Sequence, residues 1–434
     1  MATLETPKVA AAGERHTWIS AESWQQIRDY GPTFATEFAI MASLIFTYKL
    51  AAHFLGKQGF SEYAVARRVI STIYPIALLG FGVAMPRYIA LSGEKYRGES
   101  SERFFGAAFW CVCLVTVTLL GAVNLFPSQI AYLVYGSREY ASYVFPISLV
   151  IGGLTLHALC YAYFRGHLRM APANTLQFAN LAVVPVLAFY LGGRTTVEVL
   201  EKIGWFTVVV SLTALWWMPW RALGSKCLVE ARTLLRYGVP RIPGDFAQMA
   251  LLGLPTFFVA HKAGVQQAGF VALGISVLSM INAIFAPAGI ILLPVASRMI
   301  SEGARSELRQ HVLGVAGAAA IISGTVVLTV LIFAKPIIVL FLGAGFGDAV
   351  QFVRILALGA IPLSVYSAVR GLIDARHVRA LNTYNNLIAL AVFCAGGWFA
   401  MVYGGAVATT LMLVISLWVL GILTVREARR IIAS

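Results

Sequence analysis

The segment Glu37-Phe38-Ala39-Ile40-Met41-Ala42 returns as Asp245-Phe246-Ala247-Gln248-Met249-Ala250, and both copies lie inside apolar runs of membrane-spanning length. Downstream, Ala52-His53 and Gly56 return at the same spacing as Ala260-His261 and Gly264. Tyr63-Ala64-Val65-Ala66 is answered by Phe270-Val271-Ala272-Leu273, one residue out of step. Arg165-Gly166 and Asn174-Thr175 are echoed by Arg370-Gly371 and Asn382-Thr383. One half-protein of roughly 200 residues therefore occurs twice in tandem, and two such membrane halves facing a central cleft are the usual build of a secondary transporter.

With 59% hydrophobic and 12% charged residues, the 434-residue chain reads as an all-α polytopic membrane protein and not as a soluble domain. A helix crosses ~30 Å of hydrocarbon in about 20 residues, and about 12 segments qualify. They are 31–55, 62–90, 104–125, 143–164, 172–192 and 200–220, then 239–262, 268–296, 311–334, 349–370, 380–402 and 405–425. The expected architecture is two pseudo-symmetric six-helix lobes, 31–220 and 239–425, joined by a cytoplasmic linker at 221–238. Residues 1–30 read as a cytoplasmic segment with a short interfacial helix at Trp18–Tyr30, and 426–434 as a cytoplasmic tail. Pro75, Gly80, Gly82 and Pro86, matched by Pro287, Gly289 and Pro294, predict kinks on the second and eighth helices.

Most of the 33 Lys and Arg residues fall in segments that share a side with the N-terminus. The positive-inside rule then puts both termini in the cytoplasm, with 126–142 and 193–199 outside. The formal charge of +14 is thus largely topology, with some attraction to anionic lipid, and it gives no sign of nucleic acid. No cleavable signal peptide is read in the polar first thirty residues. Four of the five cysteines lie in apolar spans and Cys227 in a loop, so neither a disulfide framework nor a metal site is expected. Phosphate-binding, zinc-protease and nucleophile-elbow motifs are absent, so no cofactor and no enzyme activity is implied.

Intramembrane charge supplies the candidate sites. Glu37 and Asp245 occupy matched places in the repeats, where a carboxylate is costly unless it faces the bundle interior. Two readings stand: exchange of H⁺ or Na⁺ that couples to transport, or a structural pairing with Arg28 or Arg241. Lys49 and His53 share a helix face, and Arg67, Ser71 and Tyr74 form a polar stripe beside Arg68. Together they read as a cationic patch for an anionic headgroup, or as side chains that snorkel to the interface. The second half offers Gly274 opposite Arg67, and Ser276, Ser279 and Asn282 in place of charge. Arg354, alone in the tenth span, is a further candidate for the cleft. Asn174, Gln177 and Asn180, echoed by Asn382, Asn385 and Asn386, suit sugar hydroxyls or interhelical bonding. His157 reads as a packed, hydrogen-bonded histidine.

The run Gly56-Lys57-Gln58-Gly59-Phe60-Ser61-Glu62-Tyr63-Ala64, followed by Leu79-Gly80-Phe81-Gly82 and Pro86-Arg87-Tyr88-Ile89-Ala90, resembles the Wzx-type flippases of O-antigen and other lipid-linked oligosaccharides. Gly93-Glu94 and Glu102, Tyr163-Phe164-Arg165-Gly166, Pro294 and Ser297-Arg298 fit the same family, which belongs to the MATE-like exporter superfamily. The resemblance runs from about Tyr30 onward. It implies two six-helix lobes around a V-shaped cleft and alternating access. It also implies outward carriage of an undecaprenyl-diphosphate-linked sugar unit, with polysaccharide polymerase and glycosyltransferases as partners. No universal functional residues carry over. The rival readings are a multidrug or organic-cation antiporter of the same fold, which predicts an acidic or aromatic cleft, and a non-transporting membrane scaffold for polysaccharide assembly, which predicts a dry one.

Overall fold

The computed structural model describes the backbone of residues 21–95, 99–191, 193–218, 227–376 and 381–433. The described residues are helical throughout, with no strand. In the first half the helices are α1 (Ala21–Ala77), α2 (Phe81–Lys95), α3 (Glu99–Leu125), α4 (Pro127–Tyr135), α5 (Val144–Gly166), α6 (Met170–Phe178), α7 (Val184–Tyr190) and α8 (Thr196–Trp216). A connecting helix, α9 (Leu228–Gly238), leads to α10 (Ile242–Ala283), α11 (Ala286–Glu302), α12 (Arg305–Leu342), α13 (Ala349–Ala357), α14 (Ala360–Arg376) and α15 (Leu381–Ala433). Among the described residues, eight helices are long and apolar enough to cross a membrane, or nine if the bent pair α13–α14 is one span. The chain is a multi-pass membrane protein.

Three of the longest helices are broken at one glycine: Gly56 in α1, Gly264 in α10 and Gly405 in α15. Each has positive φ with extended ψ, a region essentially restricted to glycine. At Gly56 the chain folds back. Tyr48 and Phe60 stand 12 positions apart, which is about 18 Å along a straight helix, yet their rings lie 5.6 Å apart. At Gly405 the same holds, since Thr409 Oγ1 donates to Met401 Sδ at 3.2 Å. Gly56 and Gly264 are partners in the sequence repeat, so the duplication is a duplicated hairpin.

The expected kinks on the second and eighth helices are present as full breaks, at Leu79–Gly80 and at Ile284–Phe285. Residues 21–30 run without a break into α1, so there is no separate interfacial helix in that stretch, and residues 1–20 lie outside the described residues. Half of the expected linker is the amphipathic helix α9, packed on α2 and α3 through Leu234, while 219–226 lie outside the described residues. The expected outer loop 126–142 holds α4 and a short 3-10 turn at Arg138–Tyr143. Pro185 lacks an N–H and its ring displaces the carbonyl one turn back, so the span α6–α7 opens into a π turn at Ala179–Val183. Ser43 Oγ of α1 takes up the Ala182 carbonyl there, at 2.7 Å.

The two halves meet along α1 and α10. One apolar core joins Tyr48, Phe60 and Tyr63 of the first half to Phe270 and Phe346 of the second. The seam is tight near the hairpin turns: a Cβ on Gly269 would fall 2.4 Å from Ser61, and one on Gly136 would fall 2.7 Å from His261. His261 Nε2 bonds the Leu133 carbonyl at 2.9 Å, and Lys57 Nζ pairs with Asp348 Oδ2 at 3.1 Å. Thr72 against Gly253 carries the seam further from the turns. At the opposite end a separate core of Phe81, Met85, Ile89, Phe105, Tyr163 and Leu176 closes on α9 and takes nothing from the second half. The lobes are therefore sealed at the hairpin end and separately packed at the other.

Candidate functional site

Arg67 and Arg68 stand on the second leg of α1, inside the seam. Arg67 Nη1 donates to Tyr63 Oη at 3.2 Å, and its guanidinium lies 6.0 Å from the centre of the Tyr48 ring. Arg68 turns across to the other lobe. Its Nη2 donates to Ser276 Oγ at 3.0 Å and reaches the Ala272 carbonyl at 3.4 Å, and Tyr48 Oη shares Ser276 Oγ at 2.8 Å. Arg68 Nε is buried and has no hydrogen-bond partner. Among the described residues neither arginine has a carboxylate within ion-pair distance. A phenol oxygen and ring faces surround the Arg67 charge, and a hydroxyl and a carbonyl meet that of Arg68, so neither charge is neutralised and the seam keeps a positive field.

Each lobe also carries one copy of a polar cluster away from the hairpin end. In the first, Gln177 Nε2 donates to Glu37 Oε1 at 2.8 Å and Asn174 Nδ2 donates to Thr33 Oγ1 at 3.1 Å. Arg165 caps the Tyr161 ring at 5.4 Å, and Tyr161 lies in the field of Glu37. In the second, Asp245 lies in the fields of Arg370 and Arg241, and Asn382 Nδ2 donates to Asp374 Oδ1 at 2.7 Å. Asn386 Nδ2 donates to Tyr366 Oη at 2.8 Å. Acid, amide, tyrosine and arginine thus recur in register: Glu37 with Asp245, Gln177 with Asn385, Asn174 with Asn382, Tyr161 with Tyr366, Arg165 with Arg370. The copies differ in how the amides are engaged, Asn174 bonding Thr33 where Asn382 bonds Asp374. Gln177 holds its acid, whereas Asn385 Nδ2 is buried without a partner. Glu37 and Asp245 are both exposed.

The remaining candidates are dispersed. Lys49 is exposed, with its ammonium 5.3 Å from the Phe341 ring of α12, and His53 is exposed against Phe54. Ser71 Oγ bonds back to the Arg68 carbonyl at 2.9 Å, and Tyr74 is half-buried one turn on. Arg354 ends α13 half-buried, with a buried Nε that has no partner. His157 is packed as expected: Asn180 Nδ2 meets its Nδ1 at 3.1 Å and Ser211 Oγ at 3.1 Å. Asn180 therefore links α5, the π turn and α8. The structure brings Arg67, Arg68 and Ser71 together, and it gathers Glu37, Asn174 and Gln177 at a different level of the lobe.

Comparison with known proteins places this arrangement. The profile of the family described as "Polysaccharide biosynthesis protein" matches residues 36–300, more than half of the chain. The chain belongs to this family. No curated protein sequence matches it. Among solved structures, it is similar to a multidrug resistance MATE transporter in its inward-facing conformation (TM-score 0.72, 16% identity, 91% of this chain and 94% of that one). It is also similar to the lipid II flippase MurJ in an inward closed conformation (TM-score 0.69, 14% identity, 93% and 87% coverage). An outward-facing MATE transporter gives a TM-score of 0.56 at 15% identity, over 93% of this chain and 96% of that one. The fold is that of the MATE-like superfamily.

In this member of the polysaccharide biosynthesis family, several site-building residues give no periodic signal in the sequence. Glu62, inside the familial run, accepts from Tyr143 Oη at 2.5 Å and Thr196 Oγ1 at 3.1 Å, and so ties three elements at the hairpin end. Asp374 and Arg241 complete the second-lobe cluster from helix ends. Arg241 also lies 3.7 Å over Tyr237, which accepts from Arg87 Nη1 at 2.7 Å. Helix-end arginines look alike in a sequence whether they face headgroups or a cluster; only the tertiary fold separates them.

Proposed function

We propose that this chain is a flippase that carries an undecaprenyl-diphosphate-linked oligosaccharide across the bacterial inner membrane by alternating access, for O-antigen or a similar cell-surface polysaccharide. The observation that carries the reading is the uncompensated pair Arg67–Arg68 in the interlobe seam. A guanidinium matches phosphate oxygens in a bidentate fork, and a diphosphate brings the negative charge that the seam lacks. Parting of the lobes at the hairpin end breaks the Arg68–Ser276 bond and frees its donors, so the headgroup and the closed seam compete for one side chain.

Counting both legs of the three glycine hairpins, and α13–α14 as one, gives about 12 spans of suitable length, which supports two six-helix lobes. With both termini in the cytoplasm, the hairpin end is periplasmic and the lobes are sealed there. The cleft is then set to receive a headgroup from the cytoplasmic leaflet while the polyprenyl tail stays in lipid. Outward movement gains ~2.3 kcal/mol per negative charge per 100 mV. Glu37 and Asp245 are the coupling acids of the two clusters, and at least one exchanges H⁺ or Na⁺. The product feeds a polymerase, and glycosyltransferases supply the substrate.

The direct test is binding. Purified protein in nanodiscs should retain an undecaprenyl-diphosphate oligosaccharide, and Arg67→Ala/Arg68→Ala should weaken that retention at least tenfold, as expected for the loss of two charge-assisted contacts. Retention unchanged in the double variant removes the seam as the headgroup site.

A further inference from the structure

A groove of about 750 Å³ lies between α12, α14 and the second leg of α15. Among the described residues, none of the seam and none of either acid cluster lines it. One wall is a single helical stripe of α15. Trp418, Ile422 and Val425 make its first half, and Arg426, Arg429 and Arg430 its second. The facing wall is Ala320 of α12 with Pro362 and Val365 of α14. Its floor is closed by direct contact, since a Cβ on Gly421 would fall 2.7 Å from Pro362. Trp418 is 43% exposed and Ile422 60%, so the groove opens outward along its length.

We infer that this groove binds one anionic phospholipid of the surrounding leaflet, with an acyl chain against Trp418 and Ile422 and the phosphate among the three arginines. Length, polarity and charge agree on that occupant. Trp418 to Arg430 spans about 18 Å of helix, close to half of a ~30 Å hydrocarbon layer. The stripe changes from apolar to cationic once, at the helix end, which is the order of parts in a phospholipid. Arg430 Nη1 contacts Glu427 Oε2 at 3.3 Å, so one of the three charges is partly met within the helix. Arg426 and Arg429 are exposed and have no carboxylate within ion-pair distance among the described residues. Basic residues at a helix C-terminus also favour the helix dipole and the inside topology. Neither effect places them in line with an open apolar groove. Basic pockets between membrane helices are a known form of anionic headgroup site.

The test uses the full chain in detergent with dioleoylphosphatidylglycerol as the probe, read by native mass spectrometry and by quenching with a brominated analogue. Phosphatidylglycerol should bind at least tenfold more tightly than phosphatidylcholine. Arg426→Gln/Arg429→Gln should erase that preference while leaving phosphatidylcholine binding in place. Ala320→Phe, which fills the groove, should weaken both lipids alike. Arg305→Gln/Arg309→Gln removes two exposed charges from the start of α12, outside the groove, and should change nothing. An equal loss in that control reduces the effect to surface electrostatics and overturns the site. Displacement of phosphatidylglycerol by undecaprenyl phosphate at lower concentration also overturns it, in favour of a substrate-tail site. Lipid binding is read without any transport step, so the outcome is independent of the flippase reading.

Discussion

Arg68 is the residue on which the two lobes and the two charges of the seam converge. Replacing it by Ala removes the donor to Ser276 and one of the unpaired positive charges. Export of polysaccharide from a flippase-deleted host should fall at least tenfold at normal membrane expression. Arg68→Lys should recover only part, because a point charge replaces a planar fork. Ser276→Ala loses one hydrogen bond to the Arg68 charge, worth about 1.5–3 kcal/mol, but keeps both guanidinium groups and should reduce export less. Normal export by both Arg67→Ala and Arg68→Ala returns these arginines to a structural role. The acids are tested separately. Glu37→Gln and Asp245→Asn together should abolish ion-driven flipping in liposomes and leave headgroup binding intact, since their clusters lie apart from the seam. Equal ion-dependent flipping in wild type and double variant leaves Glu37 with Gln177, and Asp245 in the fields of Arg370 and Arg241, in structural roles only.

At the scale of elements, the glycine hairpins make the sharpest prediction. A Cβ at Gly56, Gly264 or Gly405 would meet no atom within 4 Å, so only backbone strain opposes a larger residue. Gly56→Ala and Gly264→Ala should each cost about 1–3 kcal/mol, read as a lower thermal midpoint in detergent. Gly82→Ala is the control. It is helical and equally open, and it should be neutral or slightly stabilising. Matching midpoints for Gly56→Ala and Gly82→Ala contradict the strained-hairpin account. These turns were legible in the sequence because the repeat keeps Gly56 and Gly264 at one spacing from Glu37 and Asp245. The breaks near Gly80 and Phe285 were legible from clustered Gly and Pro. The helices α4 and α9 were not: α4 is apolar but, at 9 residues, too short to read as a span, and α9 is amphipathic and looks like a polar loop when only apolar runs are sought. The amides Asn174, Gln177 and Asn180 were visible as one stripe. Their division between Thr33, Glu37 and His157 arises from the π turn at Pro185 and from neighbouring helices, which a stripe does not encode.

At the scale of the molecule, alternating access requires the hairpin end to open and close. Lys57 and Asp348 face each other across it, in an exposed pair worth little stability by itself. A Lys57→Cys/Asp348→Cys pair bridged by a short bis-methanethiosulfonate reagent should stop transport, and reduction should restore it. Undiminished transport in the cross-linked protein means that this end need not part. Translocation of a lipid-linked oligosaccharide is read as flipping in proteoliposomes. An undecaprenyl-diphosphate oligosaccharide is loaded on one leaflet and its arrival on the other is read with an impermeant lectin or glycosidase. Wild-type protein should move the lipid faster than protein-free vesicles, faster still with the inside negative, and Arg67→Ala/Arg68→Ala should bring the rate to background. Equal rates with and without protein, alongside transport of an organic cation by the same vesicles, would contradict the account and identify a cation exporter on this fold.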